Sequence, residues 1–139
     1  ERSSSIMSEG FKLEIINPEK SFLSKDEVLE VVVPAFEGEM GILKDHISII
    51  SFLKPGLVRV YESNSNEETY YAEDGIIEFK NNCLSILTSK IFDIKKMDKN
   101  VVRDFLTKAE KDTQNTDISD QKKYLLDQKI EVLKSLTLN

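Results

Sequence analysis

Residues 98–111, Asp98-Lys99-Asn100-Val101-Val102-Arg103-Asp104-Phe105-Leu106-Thr107-Lys108-Ala109-Glu110-Lys111, are where the chain changes its hydrophobic period. Val101, Val102, Phe105, Leu106 and Ala109 fall on one face at helical spacing, with Arg103, Asp104, Thr107, Glu110 and Lys111 opposite. Asp98 stands at the N-cap, where a carboxylate accepts from amides that a helix start leaves unpaired. Asp112–Thr116 reads as a polar loop, after which Leu125, Leu126, Ile130, Leu133 and Leu136 form a second apolar stripe with Lys122 and Lys129 inside it. Two such helices make an antiparallel hairpin that is marginal alone and must lie against the rest of the chain or a partner; self-packing is the reading favoured for the resting state.

Upstream of this stretch the pattern is that of short β-strands separated by turn signals. Phe11, Leu13 and Ile15 alternate with Lys12 and Glu14 until Asn17-Pro18; Val28–Val33 is closed by Pro34; Ile47–Leu53 ends at the turn Lys54-Pro55-Gly56, where Gly56 is free to take positive φ. Leu57–Tyr61 and Thr69–Ala72 flank a polar loop, Glu62–Glu68. Ile76–Phe79 and Leu84–Thr88 flank Asn81-Asn82, a pair suited to a tight hairpin. Sequential strands without intervening helices imply an N-terminal antiparallel β-sandwich, or flattened barrel, over residues 11–94, followed by an α-helical hairpin over 95–139. Residues 1–10 are expected to be disordered, and Glu1–Ile6, which precede Met7 and lack signal or transit character, are read as an expression remnant.

The 139 residues are enough to bury roughly two-thirds of the unfolded surface in one main core. No stretch approaches the roughly 18 to 20 apolar residues that cross a bilayer, so membrane association would be indirect. Single cysteine Cys83 excludes an internal disulfide, making an intracellular chain the simplest case, and in its strand it reads as a small packed hydrophobe; Tyr70-Tyr71 reads as strand filling. The net charge of −6 argues against nucleic acid as a partner. That charge is segregated: residues 98–139 carry eight acids and eight bases, so the whole excess lies in residues 1–97.

No phosphate loop, nucleophile elbow or Cys/His metal spacing is present. Glu37, Glu39, Asp45 and His46 could be taken as a metal or acid–base site, since carboxylates and imidazole are the ligands such chemistry needs. The competing and preferred reading is a solvated acidic loop whose glycines make turns.

Val33-Pro34, Glu37-Gly38-Glu39-Met40-Gly41-Ile42-Leu43 and His46, then Leu53-Lys54-Pro55-Gly56, Gly75-Ile76-Ile77-Glu78-Phe79 and Ser85-Ile86-Leu87-Thr88 occur in an order that resembles the epsilon subunit of bacterial F-type ATP synthases, counterpart of the mitochondrial delta subunit. The likeness runs from about Phe11 to the C-terminus. Lys44-Asp45 stand where that family usually has Pro-Gly, and Asp74 replaces the first of a Gly-Gly pair.

The resemblance implies a non-catalytic subunit of the central stalk of a proton-translocating enzyme, without cofactor or metal, peripheral on the cytoplasmic face of the bacterial inner membrane. The sandwich would grip the gamma subunit and the c-subunit ring, with Glu39, Met40, Gly41 and His46 at the ring-contacting positions. The hairpin would inhibit ATP hydrolysis by reaching the catalytic alpha/beta head, with Lys122, Lys123, Lys129 and Lys134 facing its acidic residues; Lys122 and Lys129 would weaken self-docking unless their ammonium groups reach water. Some relatives bind ATP through Ile or Leu, Asp, two variable residues, Arg and Ala. Here the stretch is Met97-Asp98-Lys99-Asn100-Val101-Val102, which keeps Asp98 as a nucleotide-binding candidate but lacks the arginine, so weak or no ATP binding is expected. The alternative class is a small β-sandwich binding or hydrolytic protein using Glu37–His46.

Overall fold

The computed structural model describes residues 10–62 and 66–137. The expectations of disorder and of a remnant at the N-terminus fall almost wholly on residues 1–9, outside the described residues. Among the described residues nine strands come first: β1 (Phe11–Asn17), β2 (Lys20–Ala35), β3 (Gly38–Leu43), β4 (Ile49–Leu53), β5 (Gly56–Glu62), β6 (Glu67–Ala72), β7 (Gly75–Lys80), β8 (Cys83–Thr88) and β9 (Ile91–Asp93). A 3-10 turn at Ile94–Lys96 leads into helices α1 (Lys99–Thr113) and α2 (Asp120–Thr137). This is the expected sandwich followed by a helical pair.

The organising element is β2, whose 16 residues pair with β1 early and with β3 and β5 later. Register shifts opposite Phe11/Leu13 and Ile15/Ile16 mark bulges, which let a strand this long bend from one sheet into the other. Strands run in the order β1-β8-β7-β4-β2-β5-β6-β9, and an additional β1–β2 ladder closes the first part of that path into a flattened barrel. All ladders are antiparallel except β1–β8, which pairs Leu13 with Leu84 and Ile15 with Ile86 in parallel. Leu13, Ile15, Val31, Val33, Ile77, Leu84 and Ile86 are fully buried in the main core, and each contributes about 1.5–3 kcal/mol of burial.

Several local readings need correction. The second strand begins at Lys20 rather than Val28, because the Asn17 carboxamide accepts from the amides of Glu19 (3.0 Å) and Lys20 (3.1 Å) and turns the chain straight back. The stretch taken as an acidic loop contains strand β3, an edge strand hydrogen-bonded to β2. Its glycines and charges hid an alternation in which Ile42 is buried and Met40 packs on the core. Gly56 is not in a positive-φ conformation; an added Cβ would lie 2.6 Å from Pro34 Cβ, so the requirement is space. Asn81 (φ 52°) and Asn82 (φ 54°) take the successive left-handed conformations expected of their hairpin. Cys83 is only half-buried, on the face opposite to buried Leu84 and Ile86.

The hairpin lies against the sandwich. Tyr71, Val102 and Leu133 form a second buried cluster, supported by Leu57, Phe92, Phe105 and Leu136. Aromatic contacts Tyr71–Phe92 (6.4 Å) and Phe92–Phe105 (5.4 Å) run from β6 through β9 to α1. Asp98 caps α1 as expected, accepting from the Val101 amide at 2.9 Å.

Candidate functional site

At one end of the sandwich, the residues singled out by sequence have separate local partners. On β3, Glu39 and Gly41 face outward while Met40 turns to the core. Glu39 Oε2 accepts from Arg59 Nη1 at 3.1 Å. The chain then turns at Lys44-Asp45, closed by the His46 amide donating to Leu43 O at 3.1 Å. Asp45 is left-handed (φ 66°); its amide donates to Asn82 Oδ1 at 2.7 Å, and Asn82 Nδ2 donates to Asp45 Oδ1 at 2.9 Å. His46 Nδ1 lies 2.8 Å from Ile47 O, which can only accept, so a neutral ring carries its proton there; the ring makes a T-shaped contact with Phe79. Among the described residues no three His, Cys, Asp or Glu side chains gather in a geometry that could hold a metal. What the end offers instead is exposed Leu43 and Ile47 on either side of a rigid turn.

One face of the sandwich was missed by sequence reasoning. Ile50 (75% exposed) and Phe52 (66%) project outward from β4 and are followed across the ladder by exposed Ile76 on β7 and Leu87 on β8, Phe52 pairing with Ile76 and Ile76 with Leu87. An antiparallel strand with one wet face should alternate, yet Ile49-Ile50, Ile76-Ile77 and Ile86-Leu87 are apolar at both parities. That doubling was the available signal of a second apolar face.

The four lysines of α2 separate into two kinds. Lys122, Lys123 and Lys134 are exposed. Lys129 is largely withdrawn from water, its side chain 20% exposed: its Nζ lies 3.0 Å from Oε2 of Glu73, whose side chain is 11% exposed and also accepts from the Tyr71 hydroxyl at 3.1 Å. Burial, reinforced by the Glu73 charge, holds the Tyr71 hydroxyl far above its ordinary pKa. Lys122 and Lys129 line a cavity of about 340 Å³ shared with Pro55, Asp74, Ser119 and Leu125.

Residues 10–94, the stretch that builds these surfaces apart from the helices, match the family model of the ATP synthase delta/epsilon chain, beta-sandwich domain. The chain belongs to this family. It is 68% identical over 130 residues to the ATP synthase epsilon chain of Pelagibacter ubique, covering 94% of this chain and 99% of that one. It is 33% identical over 101 residues to the mitochondrial ATP synthase subunit delta of Schizosaccharomyces pombe, covering 72% and 60%. In fold it matches a chain of the Euglena gracilis mitochondrial ATP synthase OSCP/F1/c-ring assembly, with a TM-score of 0.73, 18% identity and coverage of 94% and 81%. As an epsilon-type chain it is a non-catalytic subunit of its complex.

Both departures from the family's turn residues have a structural explanation. Asp45 adopts the conformation a glycine would take, and its side chain holds Asn82 in return. Asp74 is not in a positive-φ conformation, so the turn does not require glycine there, whereas Gly75 is indispensable: an added Cβ would stand 2.0 Å from Leu87 O.

Proposed function

We propose that this chain is a rotor subunit of the central stalk of a proton-translocating F-type ATP synthase, coupling the catalytic head to the c-ring. The observation that carries this reading is the uncovered apolar face of Ile50, Phe52, Ile76 and Leu87 on a close-packed sandwich. Such a face in a small chain calls for a permanent apolar partner, which we take to be the gamma subunit, and a stiff core transmits torque without dissipating it as strain. The ring of c subunits would be met by the end carrying Glu39, Met40, Gly41 and His46. Of these, Glu39 and Gly41 offer direct contact, while Met40 and His46 brace the end from within.

The chain works as two units in this proposal, residues 11–94 for coupling and 95–139 for regulation. The hairpin inhibits ATP hydrolysis when it leaves the sandwich and presents Lys122, Lys123, Lys129 and Lys134 to acidic residues of the alpha/beta head. Asp98 serves as a helix cap rather than a nucleotide ligand. The subunit is peripheral on the cytoplasmic face of the bacterial inner membrane and touches the bilayer only through its partners. Co-expression with the gamma subunit tests the reading. A stable complex that is lost in Phe52→Asp and Ile76→Asp, both folded as monomers, is expected; a chain that ignores gamma overturns it.

A further inference from the structure

We propose that Lys129 and Glu73 form a clasp that holds α2 on the sandwich in one register, and that its opening is the step that frees the hairpin. This rests on the mobile-hairpin reading above and names the contact that governs it.

The carboxylate is the fixed half of the pair. Glu73 donates its amide to Lys90 O at 3.0 Å, accepts the Thr88 hydroxyl on its carbonyl at 2.7 Å, and receives the Tyr71 hydroxyl on the same oxygen that meets the ammonium. These bonds aim the side chain before the helix arrives. Lys129 is the moving half. It lies three residues after buried Leu126 and four before buried Leu133, so any docking of the apolar stripe carries its ammonium into the interface.

An ammonium taken from water without a counter-ion is costly, and so is a buried carboxylate left with the Tyr71 hydroxyl but no counter-ion. Only the register that brings Nζ to Oε2 avoids both costs, so the pair discriminates against slipped or rotated dockings in a way that leucines cannot. The packing on either side assigns the clasp its role. Beyond it, Leu133 is fully buried in the second cluster with Tyr71 and Val102, and Leu136 packs against that cluster beside a cavity of about 220 Å³. Before it, α2 passes over the cavity of about 340 Å³ and a second of about 480 Å³ bordered by Phe36, Phe52, Gln121 and Leu125. Lys129 therefore sits between the cluster around Leu133 and a half held by buried Leu126 and by the ring contact of Tyr124 with Phe36 at 5.3 Å, where the ion pair adds to what keeps that half down. Once open, the same ammonium is available to an acidic partner, and it cannot serve both.

The test is amide hydrogen exchange on the full-length chain, reading α2 and the sandwich separately. Glu73→Gln and Lys129→Gln are each expected to accelerate exchange across Leu126–Leu133 by about tenfold or more, with the amides of β1, β7 and β8 unchanged. The reversed pair Glu73→Lys with Lys129→Glu is expected to recover much of the protection. Unchanged α2 exchange in the single variants overturns the clasp. So does equal acceleration throughout the sandwich, which would make Glu73 an element of the fold, and so does failure of the reversed pair to recover any protection. Exchange reads docking whether or not docking affects ATP hydrolysis, so the clasp and the inhibitory reading can fail independently.

Discussion

Arg59 on β5 reaches across the intervening strand β2 to hold Glu39 on β3, Nη1 to Oε2 at 3.1 Å. The carboxylate end of the pair remains 66% exposed, so the contact orients Glu39 without hiding it. An exposed pair of this kind is worth about 0–1 kcal/mol. Glu39→Lys, which places a second cation beside Arg59, should therefore lower the stability of the isolated chain by no more than about 1 kcal/mol. If Glu39 meets the ring, the same substitution weakens attachment of the catalytic head to membranes. Sedimentation of membranes with bound ATPase activity, beside thermal melting of the purified subunit, separates the effects; normal attachment would remove Glu39 from the ring contact.

Gly75 gives the sharpest stability prediction. An added Cβ would stand 2.0 Å from Leu87 O and 2.8 Å from Thr88 Cα, and both are backbone atoms of a paired strand. Neither can swing aside, so Gly75→Ala must push β7 from β8 and should cost about 3 kcal/mol. Denaturant unfolding checks this, and a loss below about 1 kcal/mol would show that the ladder yields more easily than its geometry implies.

The two tyrosines of β6 make the chain sensitive to alkali. Burial raises the hydroxyl pKa of both Tyr70 and Tyr71, with Glu68 reinforcing the first and Glu73 the second. A group whose folded pKa is raised contributes stability that is complete below its unfolded value, about pH 10 for tyrosine, and is lost as pH rises through the folded value. Unfolding free energy should thus be insensitive to these residues at neutral pH and fall steadily above about pH 10. Tyr71→Phe should flatten part of that fall in denaturant melts across alkaline pH, and an unaltered slope would contradict the assignment.

These surfaces differ in how openly the sequence displays them. The helical stripe of Val102, Phe105, Leu106 and Ala109 is local, and its spacing alone exposes it. Strand β3 was concealed because Gly38, Glu39 and Gly41 carry turn and solvent chemistry, although an edge strand needs only one inward parity, supplied by Met40 and Ile42. The apolar face was present in the sequence as Ile76-Ile77 and Ile86-Leu87, but doubled apolar positions acquire meaning only once the partner strands are known. The Glu73–Lys129 pair could not be read at all: one member lies between strands β6 and β7, the other in a helix stripe, and no local period joins them.

Asp98 separates capping from ligand binding. Its carboxylate already accepts from the Val101 amide at 2.9 Å, and Val101, the position where the family resemblance calls for an arginine, offers no guanidinium. Asp98→Ala should cost about 1 kcal/mol of stability as a lost cap. Calorimetric titration of the native chain with ATP should show no micromolar binding, and heat saturating in that range would refute the reading of Asp98 as a cap alone.

Removal of the hairpin bears most directly on regulation. Cutting after Met97 deletes α1 and α2 and with them the partners of Leu57, Tyr71 and Phe92, so the shortened chain exposes the surface that Val102 and Leu133 cover. It should therefore be assembled with the other subunits before measurement, with loss of the subunit itself as the control. If the hairpin inhibits, assembled complexes carrying the shortened chain hydrolyse ATP about fivefold faster than those with the full chain, the coupling expected of a device worth about 1 kcal/mol. The full-length double variant Lys123→Glu, Lys134→Glu leaves the docked contacts in place, because both side chains are exposed and neither lines the cavity under α2 that Lys122 and Lys129 share. It should give a comparable rise if the exposed lysines meet an acidic head. A rise with truncation but not with charge reversal would assign inhibition to the helices' bulk rather than their charge. Unchanged hydrolysis in both would leave the hairpin with no inhibitory role.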